Sequence, residues 1–169
     1  MVRTAVFPAT FDPITNGHVD IAERAARIFD HLVIGVYAHG DGDIKATVFS
    51  AAERVRLVEA AVAHLDNVSV RPYEGLTVDF ARAESAQAIV RGLRVADDFE
   101  FERQMAMMNR HLAPEVDSLL LISDPAHAFV SASLVRQVSG MGGDVRGLVP
   151  AAVAESLARK HGASTDMAG

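Results

Sequence analysis

No cysteine occurs among the 169 residues. Disulfides and thiolate metal sites are therefore excluded, and a reducing compartment, the cytoplasm, is the simpler expectation. His31, His39, His64, His111 and His161 show no His-x-x-x-His spacing, so no metal-ligand pattern stands in for the missing thiols. No apolar run reaches membrane-spanning length. The opening stretch "MVRTAVFPATFDP" is too short in its apolar part for a secretory leader, and Pro8 interrupts it. Positive charge is scarce as well. Sixteen Lys and Arg against 22 Asp and Glu leave a formal charge of -6, which disfavours general binding to nucleic acid or anionic membrane. Two phosphate-binding signatures are missing too. Without Gly-x-x-x-x-Gly-Lys-Ser/Thr the chain is no P-loop protein, and without Gly-x-Gly-x-x-Gly after the first strand a dinucleotide cofactor is disfavoured.

What is present is a globular balance: half the residues are hydrophobic and 22% charged. The length suits one domain, 1–162, with a frayed tail at 163–169. Apolar patterning predicts strands at 3–7, 32–37, 68–70, 88–90 and 119–122. Helices are predicted at 15–29, 50–64, 77–83, 97–112, 131–139 and 150–162. Ser50 and Glu53 form a capping-box pair at the second helix, and Pro150 suits a first helical turn. On the fourth helix Phe101, Met105, Met108 and Leu112 make a stripe that reads as core, while Phe99 and Met107 point to a second face and a subunit contact. Strict alternation of strand and helix implies a five-stranded parallel sheet covered on both faces, a doubly wound α/β fold.

In such sheets ligands sit beyond the carboxyl ends of the strands, where strand order reverses. The residues following the five predicted strands include Thr10, His18, Lys45, Thr77, Arg91, Arg94, Ser131 and Ser133. Cations and hydroxyls thus converge on one edge of an acidic protein. Two of the loops feed helix N-termini, which bind anions through unsatisfied N–H groups and the helix dipole. A polyphosphate is the natural ligand. Gly17 would let it approach closely, and His18 in the first turn can donate to it. From the residues alone a second reading stands: His18 and Ser131 as helix caps, Lys45 as a solvated side chain, Arg91 and Arg94 as ion pairs with Asp97, Asp98 or Glu102.

The stretch "TFDPITNGH" resembles the Thr-x-Gly-His signature of the nucleotidyltransferase superfamily. Further matches, "FSAAERVRLV", "LTVDFA", "IVRGLRVADDFEFERQMAMMNRHL" and "FVSASLV", resemble one family within it, the phosphopantetheine adenylyltransferases. The resemblance runs from the start to about residue 150. It implies a Rossmann-like nucleotidyltransferase domain that makes dephospho-coenzyme A and pyrophosphate from ATP and 4'-phosphopantetheine. It also implies Mg²⁺ and a homo-oligomer, a hexamer.

By the same resemblance His18, Lys45 and Arg91 are the catalytic set. Thr10, Phe11, His18, Gly92, Leu93, Arg94 and Glu102 fall to ATP, with His127, Ala128, Phe129, Val130, Ser131, Ala132 and Ser133 wrapping adenine and the outer phosphates. Thr10, Lys45, Thr77, Arg91, Met105 and Asn109 fall to phosphopantetheine. The ligands of the metal are left open. The chain departs from the family pattern at Ala9, usually glycine, at Ala132 in the serine run, at His127 where tryptophan is common, and in the long acidic loop before Lys45. Two other functions fit the superfamily core: transfer to nicotinamide mononucleotide or a phospho-alcohol, and a nucleotide sensor without catalysis.

Overall fold

The central strand of the sheet is the first one in the chain. In the computed structural model, which describes residues 2–38 and 47–165, the strand order is β3-β2-β1-β4-β5 and every pairing is parallel. The elements run β1 (Thr4–Ala9), α1 (Asn16–Ile28), β2 (His31–Tyr37), α2 (Ala51–Val62), β3 (Val68–Tyr73), α3 (Thr77–Ala83) and β4 (Ala88–Leu93). There follow α4 (Ala96–Leu112), β5 (Asp117–Ile122), α5 (Ala132–Gly140) and α6 (Ala151–Thr165). This is the doubly wound α/β fold expected, with strand order reversing between β1 and β4.

Both faces of the sheet are buried, as in a parallel sheet flanked by helices. Ala5, Phe7, Leu32, Ile34, Val36 and Val90 point to one side, onto Ile21 and Ala25 of α1, Val58 of α2 and Leu157 of α6. Val6, Val33 and Ile89 point to the other, onto Val78, Phe80 and Ala81 of α3. Gly35 belongs to that second face. A Cβ there would stand 2.4 Å from Cε1 of Phe80, whose ring stacks on Tyr73 at 4.4 Å.

Several elements run further than their apolar residues indicate. β1 passes through Pro8 to Ala9. Its pairing with β4 consists of Ala5 with Ala88 and Val6 with Ile89, and then the two strands part. The Pro8 carbonyl is turned toward β4, where it accepts Nη1 of Arg91 at 2.6 Å. The missing N–H of Pro8 therefore falls on the side that has no ladder, where proline is tolerated. β4 continues through Arg91, Gly92 and Leu93 because its ladder with β5 continues to Ile122. α6 extends through Thr165, three residues into the expected tail.

The fourth helix departs from its predicted packing. Phe101, Met105, Met108 and Leu112 are exposed in the single chain, as are Phe99 and Met107. Among the described α4 side chains only Glu102 is buried.

Candidate active site

The turn from β1 into α1 is built around His18. Thr15 caps α1, and its hydroxyl accepts the His18 N–H at 3.4 Å. In return Nδ1 of His18 accepts the Thr15 N–H at 3.0 Å and lies 3.1 Å from the Thr15 hydroxyl. This is a capping box with histidine in the place usually held by glutamate or glutamine. Phe11 supports the ring from behind. It is 2% exposed, holds the left-handed backbone φ of 50°, and packs edge-on to His18 at 5.1 Å and to Phe7 at 5.4 Å. A non-glycine residue in that region costs about 1–3 kcal/mol, which burial of the Phe11 ring offsets at about 1.5–3 kcal/mol.

With Nδ1 engaged as an acceptor, the proton of the neutral imidazole resides on Nε2. Burial, then the nearby Arg91 and Arg94 cations, push the pKa of His18 down to about 4. At neutral pH the ring is an uncharged donor.

Arg91 and Arg94 stand on either side of the β4 exit. Nε of Arg91 donates to both carboxylate oxygens of Glu102 at 2.9 and 3.1 Å, and Nη2 to one of them at 2.7 Å. Arg94 makes a similar fork with Asp98, and its Nη1 donates to the Val130 carbonyl at 3.4 Å. Both arginines are thus paired with acids and also line cavities.

Two of the cavities among the described residues share Ala9, Arg91 and Glu102 as a wall. The smaller, about 260 Å³, lies between the N-termini of α1 and α5. His18, Gly92, Arg94, Val130, Ser131, Ala132 and Ser133 line it, together with Gly17. Ser131 caps α5 through Leu134 N–H at 3.1 Å, which leaves its hydroxyl proton for an incoming oxygen. The larger, about 510 Å³, is mainly apolar and runs along α4. Thr10, Thr77, Met105 and Asn109 line it with Tyr37, Tyr73, Met108 and Leu112.

Apart from Lys45, the residues expected at an acceptor site therefore meet in one cavity, and most of those expected at a nucleotide site meet in the other. Thr10 lines the acceptor cavity alone. Phe11 is buried behind His18 rather than facing a cavity. Leu93, His127, Ala128 and Phe129 line neither, although His127 sits beside Gly17, with its Cβ 3.4 Å from where a Cβ on Gly17 would be. Lys45 lies outside the described residues.

Sequence reasoning missed three polar residues that hold the site. Asp12 is buried and accepts the N–H groups of Val48 and Phe49, both at 3.0 Å. Arg54 donates to the carbonyls of Thr10, Tyr37 and Phe49. Arg136 donates to the Asp12 carbonyl. A signal for Arg54 was available: it lies four residues before Val58, on the apolar stripe of its helix.

The cytidylyltransferase-like family model matches residues 6–138. A phosphopantetheine adenylyltransferase from Thermomicrobium roseum is 52% identical over 160 residues, covering 95% of this chain and 96% of the relative. The chain belongs to the phosphopantetheine adenylyltransferase family. A second enzyme of that name, from Levilactobacillus brevis, is 48% identical over 90% of this chain and 93% of its own length. Members of the family are nucleotidyltransferases, and this chain is one. Among solved structures, a putative nicotinate-nucleotide adenylyltransferase from Vibrio parahaemolyticus is similar in fold. It has a TM-score of 0.68 at 17% identity, with 94% of this chain and 92% of that one covered.

Proposed function

We propose that this phosphopantetheine adenylyltransferase relative transfers the adenylyl group of ATP to 4'-phosphopantetheine, yielding dephospho-coenzyme A and pyrophosphate. One observation carries the reading. A hydroxyl- and helix-terminus-lined cavity and an elongated apolar cavity share a single cationic wall at Arg91. The first suits a polyphosphate, the second an extended arm with amide and alkyl segments ending in a phosphate.

A 4'-phosphate oxygen bonds to the α-phosphorus as the bond from that phosphorus to the bridging β-oxygen breaks, and pyrophosphate departs with the electron pair. The nucleophile is already an anion, so no strong base is required. The protein must bring two anions together and stabilise charge on the α-phosphate. His18 Nε2–H is the proposed donor to that group. Arg91 would direct its remaining protons at the acceptor phosphate, and Arg94 with the α5 N-terminus would hold the outer phosphates. Lys45 is proposed to assist on the acceptor side.

Among the described residues no group of three or more His, Asp or Glu side chains is placed to hold a metal. The acids at the site, Asp98 and Glu102, are engaged by arginines. That donor set fits Mg²⁺ bound chiefly by phosphate oxygens and water, as is usual for nucleotide-bound Mg²⁺. The ion would neutralise charge on the leaving pyrophosphate.

A homo-oligomer is proposed because α4 exposes five large apolar side chains beside Leu112, with Met107 61% exposed, and a hexamer on the family resemblance alone. Patches of this kind mark contact surfaces. No described helix is long and apolar enough to cross a membrane. The cytoplasm is the proposed compartment, on the cysteine-free composition.

Pyrophosphate release from Mg²⁺-ATP, compared between 4'-phosphopantetheine and nicotinamide mononucleotide, tests the reading. Release with the first alone supports it. Release with the second alone would move the chain to another acceptor.

A further inference from the structure

Arg54 lies on the buried stripe of α2 with Val58 and Val62, and it is 2% exposed. A guanidinium so deep usually faces a carboxylate. Asp12 acts on this one only as a nearby charge, while burial works against its protonation. Its N–H groups go to backbone instead. Nη1 donates to Thr10 O at 2.6 Å and to Tyr37 O at 2.7 Å, and Nε donates to Phe49 O at 3.2 Å.

Those three carbonyls belong to three pieces of chain. Thr10 follows β1, Tyr37 ends β2 and Phe49 precedes α2. One cation therefore ties the exits of two strands to the entry of a helix. Asp12 ties the first and third from the other side, through the N–H groups of Phe49 and Val48. Arg136 extends the tie to α5, the helix whose N-terminus borders the smaller cavity. Fold stability alone does not explain a charged choice here, because an apolar side chain of similar volume often serves as well or better in a buried site. An apolar chain cannot, however, hold three carbonyls at a fixed separation. Two of the residues held, Thr10 and Tyr37, line the larger cavity beside Arg91.

We propose that Arg54 is a positioning residue for group transfer: it fixes Thr10 and Tyr37 against Phe49 and so sets where the acceptor phosphate lies relative to His18. It acts through those backbone groups and touches neither substrate. The inference rests on the proposed adenylyl transfer. Displacements of about 1 Å at a reacting pair cost about a hundredfold in rate, so a small slackening of this tie is measurable.

The test compares wild type with Arg54→Lys, which keeps the charge but cannot span three carbonyls, and with Arg54→Ala, all well below each protein's unfolding midpoint. Three quantities are read: kcat for pyrophosphate release, the Kd of ATP, and amide hydrogen exchange. In both variants kcat should fall ten- to a hundredfold while the Kd of ATP stays within threefold. Exchange at Val48 and Phe49 should rise at least tenfold, with β4 amides unchanged. Added guanidinium ion should restore part of kcat in Arg54→Ala, and methylammonium should not. Unchanged kcat in folded Arg54→Lys would overturn the proposal, as would a loss that merely tracks the unfolded fraction. Should Arg54→Ala not fold, Arg54→Lys carries the same comparison. A wild type that transfers to no acceptor overturns the functional reading separately. The exchange comparison then decides alone: raised exchange at Val48 and Phe49 supports the tie, and unchanged exchange overturns it.

Discussion

Nδ1 of His18 accepts the backbone N–H of Thr15, three residues earlier, at 3.0 Å. That bond makes the histidine part of the helix cap and simultaneously assigns its proton to Nε2, the nitrogen left for a ligand. The Thr-x-Gly-His spacing is thus a device for holding one tautomer at a helix N-terminus.

The first prediction concerns that ring. Nitrogen-15 NMR should show His18 as the Nε2–H tautomer, with its titration midpoint near 4. In an unfolded chain histidine titrates near 6.5. Between those values the unfolded state binds more protons, so stability falls as pH drops from about 6.5 to 4 and rises again on return. Denaturant melts of His18→Gln should lose part of that acid-side slope. A midpoint at or above 6.5 in the ligand-free protein would contradict the geometry.

His18→Ala should lower kcat far more than it weakens ATP binding. Removing one donor aimed at a charge that grows in the transition state costs about 3–4 kcal/mol, a factor of several hundred. Stopped-flow turnover and calorimetric ATP titration measure the two effects. Normal turnover would remove His18 from the mechanism.

Loss of Arg91 should act twice. Arg91→Ala leaves Glu102, 7% exposed, with its main partner gone. The cost is about 1–3 kcal/mol for an unsatisfied buried polar group, with the higher end apt for a charge. Adding Glu102→Gln should recover much of that stability in urea melts, yet neither turnover nor acceptor affinity should return. Recovery of both would make the arginine purely structural.

Gly35→Ala should drive the Phe80 ring, and Tyr73 stacked on it, toward the larger cavity. Overpacking of this sort costs about 1–3 kcal/mol. The KM for the acceptor should rise while that for ATP holds. Equal effects on both would separate this aromatic stack from acceptor binding.

The eleven elements among the described residues were legible because their apolar residues repeat at the spacing of strand or helix. Their ends were less so. β3 includes Arg71 and Pro72, poor strand residues that an edge position tolerates. The strand order was not legible, since alternation dictates parallel pairing but not which strand sits in the middle. Periodicity marked the apolar stripe of α4, Phe101, Met105, Met108 and Leu112, but read it as core where the single chain exposes it, because a stripe says nothing of what covers it. His18, Arg91 and Arg94 were readable from their positions after strands. Arg54 showed only as a charge on an apolar stripe and Asp12 not at all, as most of their partners are backbone atoms distant in sequence.

Arg91 bridges a place where the sheet has come apart: β1 and β4 separate after two pairs, and its Nη1 reaches across to the Pro8 carbonyl. On the proposed chemistry the same guanidinium meets the acceptor phosphate. Selection therefore acts on this codon from two directions. A substitution that spared the phosphate would still loosen the sheet, and one that spared the sheet would still lose the phosphate. An inhibitor anchored at that junction, spanning both cavities, would confront a residue with few routes to resistance.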